Sequence, residues 1–196
     1  MGGRLHSDQD EGVIRSGLRR LTPGLLLCAS LLGQPALAAG RDGAHDFDFD
    51  LGRWHTHSTR LMHPLAGSKD WVELDGETDV TPVWGGKGNL AEYKALGADG
   101  PLELIALRLY NPRTRQWTIN FATPGVGAFG TPGVGEVQDG RMTFYDQEDF
   151  AGRQIWVRFQ IWSIDPEHAQ SEQAFSDNGG KSWEVNWVNR YTRLPV

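Results

Sequence analysis

Residues 47–54, Phe-Asp-Phe-Asp-Leu-Gly-Arg-Trp, decide the fold. They run directly into HTHSTRL, in which β-branched and polar residues follow one another as they do in a strand. The two phenylalanines alternate with aspartates at positions 46, 48 and 50, so we expect the rings to cover a core and the aspartates to face water. A calcium loop is not expected, because Leu51 stands where that motif requires glycine. The segment therefore predicts a short N-terminal lead-in and cap over residues 39–52, followed by a strand from Arg53.

From residue 53 onward, short alternating stretches are separated by segments rich in Gly, Pro, Asn and Asp, which is typical of strands joined by hairpins. Links such as NPRTR and QDGR are short enough to make consecutive strands antiparallel. Antiparallel strands joined in this way either close into a barrel or split into a sandwich, and strand faces that mix Arg, Gln, Tyr and Trp suit a barrel with a partly polar lumen. We therefore expect an all-β domain over residues 53–196, a single antiparallel up-and-down β-barrel. The predicted strands are Arg53–Leu61, Trp71–Val83, Asn89–Leu96, Leu102–Tyr110, Gln116–Ala122, Gly135–Val137, Met142–Gln147, Gln154–Ser163, His168–Phe175 and Trp183–Arg193.

Three features together resemble a known family: Gly52-x-Trp54 at the start of the first strand, an arginine in the last strand, and the segment 173–187. They are similar to the lipocalin-like, or calycin, domains of secreted bacterial proteins of unassigned function. The resemblance implies that Trp54 lies at the closed end of the barrel beneath Arg190 or Arg193, in a cation–π contact. It implies a fold and no chemistry.

The segment Ser176-Asp-Asn-Gly-Gly-Lys-Ser-Trp183 resembles the Asp-box hairpin of sialidase-type propellers, with Asn178 where aspartate is usual. A single copy cannot build a propeller, which needs one repeat for each blade. We therefore expect a rigid hairpin with Trp183 packed beneath it in a structural role.

Several predicted strands carry apolar residues on one face and a mixture of polar and aromatic residues on the other. If the mixed faces point inward, they line the lumen and bind a small, partly apolar ligand, with an anionic ligand as one alternative. The alternation itself does not say which face is inside. The predicted ligand-binding residues are Arg108, Tyr110, Asn120, Trp156 and Arg158.

Two other classes of function remain open from the sequence. The first is a cofactor-independent lyase, isomerase or hydratase on the same barrel, with Asp146 or Glu148 as its catalytic base. The second is an envelope protein that binds another protein. No cofactor is expected.

The glycines of Gly125-Val-Gly-Ala-Phe-Gly130 match the spacing of a dinucleotide-binding loop. That loop must open a helix, and the flanking Thr-Pro-Gly-Val-Gly repeats are incompatible with one. We expect a turn-rich loop at the mouth of the barrel instead. His55 and His57 share one face of the first strand and are the weak metal candidates, but alternation opposite Trp54 places them outside.

The first 38 residues have the basic, apolar and small-residue regions of a secretory signal peptide ending at Ala38. Residues 1–12 are acidic rather than basic, so we expect translation to begin near Val13. The single cysteine, Cys28, lies in the apolar region, which leaves the mature chain without a thiol. We expect a periplasmic or secreted bacterial protein whose mature chain has no membrane-spanning segment. The net charge of −6 and the lack of a basic cluster argue against nucleic acid as a partner.

Overall fold

The structure, a computed structural model, describes residues 42–195 and shows the predicted all-β architecture. The predicted signal peptide and translation start lie outside these residues. Between residues 42 and 195, no helix is long and apolar enough to cross a membrane. Short 3-10 helices occur at Asp48–Asp50 and Trp84–Gly86, and the strands are β1 (Gly52–Leu61), β2 (Trp71–Val83), β3 (Gly88–Gly97), β4 (Gly100–Asn111), β5 (Gln116–Ala122), β6 (Gly133–Gln138), β7 (Arg141–Phe150), β8 (Arg153–Asp165), β9 (His168–Ser176) and β10 (Glu184–Arg193).

Each strand pairs with its neighbours in the chain, and β1 pairs with β10, so the sheet closes into one barrel. All pairings are antiparallel, which confirms the predicted up-and-down barrel. Because successive strands run in opposite directions, the β1–β2, β3–β4, β5–β6, β7–β8 and β9–β10 connections lie at one end. We call this the open end. The lead-in covers the opposite, closed end.

The closed end is organised by Trp54, whose side chain is only 1% exposed. Its indole nitrogen donates a hydrogen bond of 2.8 Å to the backbone oxygen of Asp50. The guanidinium of Arg193 lies 4.0 Å from the centre of the Trp54 rings and donates to the backbone oxygens of Phe49 and Leu51. Arg193 therefore occupies the place that the resemblance gave to Arg190 or Arg193, whereas Arg190 is exposed.

Gly52 carries the lead-in into β1 with a φ of +111°, which non-glycine residues rarely adopt. A Cβ atom at this position would also lie 3.1 Å from Nη1 of Arg193. The glycine of the G-x-W pattern thus serves both the turn into β1 and the close approach of Arg193.

The hairpin between β9 and β10 is held together by Asn178. Its side-chain oxygen accepts hydrogen bonds from the Ser176 hydroxyl and the Ser182 backbone N–H, and its amide donates to the Ser182 hydroxyl. Trp183 packs against the ring of Tyr145, and the Arg158 guanidinium lies 4.7 Å from the ring centre of Trp183. Asparagine thus supplies the turn contacts expected of the Asp-box position.

Candidate ligand-binding site

The barrel lumen contains a cavity of about 230 Å³. Its lining combines an apolar surface with a small set of polar groups, which is the usual composition of small-molecule sites. The apolar part is formed by Ala91, Leu104, Ala106, Phe121, Phe159 and Trp187.

At the closed end of the cavity, Arg108 forms a buried ion pair with Asp50. The two side chains are only 4% and 2% exposed. Nη1 of Arg108 also donates to the side-chain oxygen of Asn89 at 3.2 Å, and the guanidinium lies 4.8 Å from the ring centre of Phe47. Within residues 42–195, Nε of Arg108 has no hydrogen-bond partner. Nε itself has almost no accessible surface, so the candidate ligand contact of this cavity-lining side chain is Nη2, which neither the ion pair nor the Asn89 bond uses.

The expectation that all the lead-in aspartates face water is wrong for Asp50. Its backbone lies in the 3-10 helix that crosses the closed end, which turns the carboxylate toward Arg108. A buried positive charge is stable only when a counterion lies beside it, and Asp50 is that counterion for Arg108.

One wall of the cavity carries a hydrogen-bonded chain of side chains. The Trp187 indole N–H donates to the side-chain oxygen of Asn189 at 2.9 Å, and the Ser58 hydroxyl donates to that same oxygen at 2.6 Å. The hydroxyls of Ser58 and Tyr93 are 2.6 Å apart. Asn189 in turn donates to Ser171 at 2.9 Å. These contacts fix the polar groups of the wall before any ligand arrives.

The Tyr191 hydroxyl extends this chain toward the closed end, where it lies 2.9 Å from that of Ser171. Burial, followed by the charge of Asp50, raises the pKa of Tyr191 to about 12. Tyr191 therefore presents a neutral hydroxyl to the lumen throughout the physiological pH range.

Two carboxyl groups on β7 lie toward the open end. Glu148 lines the cavity, and Asp146 lies two residues earlier on the same face of the strand. Burial and then the charge of Glu148 raise the pKa of Asp146 to about 7, and burial raises the pKa of Glu148. Oδ1 of Asp146 is buried without a hydrogen-bond partner within the described part of the chain. The barrel therefore brings both weak catalytic candidates to one wall of the lumen.

Of the five predicted ligand-binding residues, Arg108 alone lines the cavity. Asn120 lies on the outer face of β5, where its amide donates to the backbone oxygen of Leu107. Trp156 and Arg158 lie on the outer face of β8, with Trp156 37% exposed and Arg158 stacked on Trp183. The expectation that these three residues line the lumen is thus corrected, because β8 turns its apolar face inward.

Tyr110 shares the inner face of β4 with Arg108 but lies nearer the closed end, outside the cavity lining. Its hydroxyl donates to the Asp42 carboxylate at 2.8 Å and accepts from the backbone N–H of Gly43, while its ring packs against Trp117. Tyr110 therefore holds the lead-in against the closed end and does not line the cavity.

Sequence reasoning missed most of the polar lining. Trp187, Asn189 and Tyr191 alternate along β10 and form its inner face. Tyr93 occupies a similar position between the small residues Ala91 and Ala95 of β3. For Tyr93 the available signal was an aromatic residue between small inward residues, since small side chains leave space in a lumen; β10 offered no such signal, because the inward neighbours of Asn189 are large.

The remaining motifs lie outside the lumen. His55 and His57 lie on the outer face of β1, with ring nitrogens 3.5 Å and 3.1 Å from the Asp75 carboxylate. Residues 42–195 contain no group of three or more His, Cys, Asp or Glu side chains suited to a metal ion. The glycine-rich loop forms turns at the open end, where Thr123 lines the cavity and Phe129 is exposed.

No protein-family model matches the sequence, and no curated protein matches it. Among solved structures, an S-type phycobiliprotein lyase from Guillardia theta is similar, with a TM-score of 0.55 and 14% identity over 80% of this chain and 95% of that chain. A redesigned β-barrel bound to DFHBI has a TM-score of 0.42 and 14% identity over 74% of this chain and 99% of its own. A de novo designed fluorescence-activating β-barrel has a TM-score of 0.42 and 11% identity, covering 79% and 99%. The likeness to the lyase shows a shared barrel fold.

Proposed function

We propose that this protein binds a small, partly apolar molecule inside its barrel. The observation that carries the proposal is the cavity of about 230 Å³, whose apolar lining is interrupted by polar groups held in fixed orientations. Burial of a ligand against the apolar side chains would supply affinity, at about 25 cal/mol for each Å² removed from water. The fixed polar groups would supply orientation.

A substitution that fills the cavity tests this proposal. Ala106 is buried and lines the lumen, whereas Leu107, the next residue of β4, faces the exterior. We expect Ala106→Phe to abolish binding and Leu107→Phe to preserve it. Native mass spectrometry of each variant, isolated from the protein's own source, would show whether a small molecule accompanies the parent and Leu107→Phe but not Ala106→Phe. Absence of any ligand from the parent over repeated preparations would contradict the proposal.

A second candidate, acid–base catalysis on the inner face of β7 beside the cavity, is favoured by Asp146. A carboxyl group with a pKa of about 7 is matched to proton transfer near neutral pH. Glu148 lies on the same face of β7, and burial raises its pKa as well. If the protein is a lyase, isomerase or hydratase, Asp146→Asn should abolish turnover while ligand affinity stays within about threefold.

Export and family membership are parts of the same proposal. The basic, apolar and small-residue regions of residues 1–38 support export to the periplasm or medium, and the G-x-W pattern supports membership of the lipocalin-like family. N-terminal sequencing of the protein from its natural source tests the first: the mature chain should begin at Ala39.

Binding of another protein has less support. The two most exposed tryptophans, Trp71 at the start of β2 and Trp84 just after its end, are separated by the length of that strand, about 40 Å at the usual rise. They do not form one apolar patch.

A further inference from the structure

We propose that the cavity selects a neutral molecule that offers a hydrogen-bond acceptor to the closed end of the barrel and an N–H or O–H donor to the open end, and that it discriminates against carboxylates. This inference rests on the proposed function, because it names the class of ligand that the same cavity takes. Three groups of contacts carry it.

Among the residues that line the cavity, Arg108 is the only lysine or arginine, and it has a counterion. Arg108 lines the cavity at the closed end, but its charge is compensated by Asp50, so an anionic ligand would leave the site with a net negative charge. The hydrogen bonds of Arg108 to Asp50 and Asn89 both come from Nη1, so Nη2 of this cavity-lining side chain keeps an N–H donor for a ligand. A neutral acceptor such as a carbonyl oxygen satisfies it without adding charge.

The hydrogen-bonded chain on the cavity wall presents an acceptor to a ligand, because the donor and the acceptor of each of its bonds are determined. An indole N–H only donates, so the atom of Asn189 that Trp187 contacts must be its oxygen. The Ser58 hydroxyl therefore uses its single hydrogen on that oxygen. Tyr93, a residue that lines the cavity, must then donate to Ser58, so its hydroxyl oxygen keeps its lone pairs for a ligand donor.

The open end presents further acceptors. Glu148 lines the cavity, whereas Asp146, two residues earlier on the same inner face of β7, lies outside the cavity lining. The residues that line the cavity at this end include no lysine or arginine. An N–H or O–H group of the ligand would donate to the Glu148 carboxyl, whereas a ligand carboxylate would find no cation here to replace its hydration.

Three probes of one shape test this class. The first, 6-hydroxy-2-acetonaphthone, has a ketone at one end and a hydroxyl at the other. The second, 6-methoxy-2-acetonaphthone, removes the donor, and the third, 6-hydroxy-2-naphthoate, replaces the ketone with a carboxylate. Isothermal titration calorimetry at about pH 6.5, where an aromatic hydroxyl stays protonated, should show the first probe binding at least about 10-fold more tightly than either of the others.

The substitution Glu148→Gln should weaken the first probe by about 10-fold and leave the methoxy probe within about twofold. Glu136→Gln, an exposed position on the adjacent strand β6, serves as the matched control and should change neither affinity. Equal or tighter binding of the methoxy or carboxylate probe to the parent would overturn the ligand class and leave the proposed function intact. Failure of all three probes to bind would count against the proposed function itself, and the ligand class would fall with it.

Discussion

Arg108 and Asp50 form an ion pair across the closed end of the barrel, although they are 58 residues apart in the sequence. Both side chains are almost completely buried, which makes the charge of each dependent on the other. The pair also joins two parts of the molecule, since Asp50 belongs to the lead-in and Arg108 to β4. It attaches the cap to the barrel and neutralises the base of the cavity.

Removal of one partner should therefore lower the free energy of unfolding by more than removal of both partners. We expect Asp50→Ala or Arg108→Met alone to lower the free energy of unfolding by about 3–5 kcal/mol, because each leaves an uncompensated buried charge. The double variant should regain at least half of that loss. Urea unfolding of the four proteins in a double-mutant cycle measures the coupling, and strictly additive losses would contradict a mutual dependence.

Arg193 should stabilise the closed end much more than Arg190, which lies three residues earlier in β10. Arg193→Met removes hydrogen bonds of 2.8 Å to the backbone oxygens of Phe49 and Leu51 and the contact with Trp54. We expect a loss of about 2–4 kcal/mol. Arg190→Met, at an exposed position, is the matched control and should stay within about 0.5 kcal/mol. Thermal unfolding of both variants separates the two roles, and equal losses would show that Arg193 contributes only surface charge.

Asp146 should make the protein less stable as the pH rises. Its pKa is raised from 3.8 to about 7 in the folded state, so folding favours the protonated form. That advantage is complete below about pH 4 and is lost as the pH rises toward 7. Asp146→Asn should therefore match the parent at low pH and exceed it above neutrality by about 1–2 kcal/mol, a value reduced for partial solvent exposure. Exposed Asp79 of β2 provides the control, and urea unfolding of Asp79→Asn should follow the parent at every pH.

Gly135 should tolerate no side chain. A Cβ atom there would overlap the backbone oxygen of Thr143, which cannot move without breaking the β6–β7 pairing. We expect Gly135→Ala to cost at least about 2 kcal/mol. A Cβ atom on Gly125 of the exposed loop would meet no atom of residues 42–195 within 4 Å, so Gly125→Ala should be neutral or slightly stabilising. A small effect at Gly135 in chemical denaturation would mean that β6 can shift away from β7.

The contrast between β4 and β8 shows what a local sequence pattern predicts about a strand and what it leaves open. Both strands carry one apolar face and one mixed face, and alternation alone treats them alike. In the structure β4 turns Arg108 inward, where the lead-in supplies its counterion, whereas β8 turns Arg158 outward onto Trp183. Residues far away in the chain determine which face of each strand points into the lumen. A local sequence pattern contains no information about those residues.

The sequence by itself determined the ten strands and their antiparallel order, because alternation, turn residues and short links are local properties. The G-x-W segment, through Gly52 and Trp54, marked the closed end for the same reason. The barrel that the sequence predicted is closed in the structure by the pairing of β1 with β10, which joins the two ends of the domain. Only the tertiary structure decided which faces line the lumen, that Asp50 neutralises Arg108, and that Tyr93, Asn189 and Glu148 surround one cavity. Those relationships depend on side chains that meet across the barrel, and the low-dielectric interior makes each charge and hydrogen bond depend on its partner.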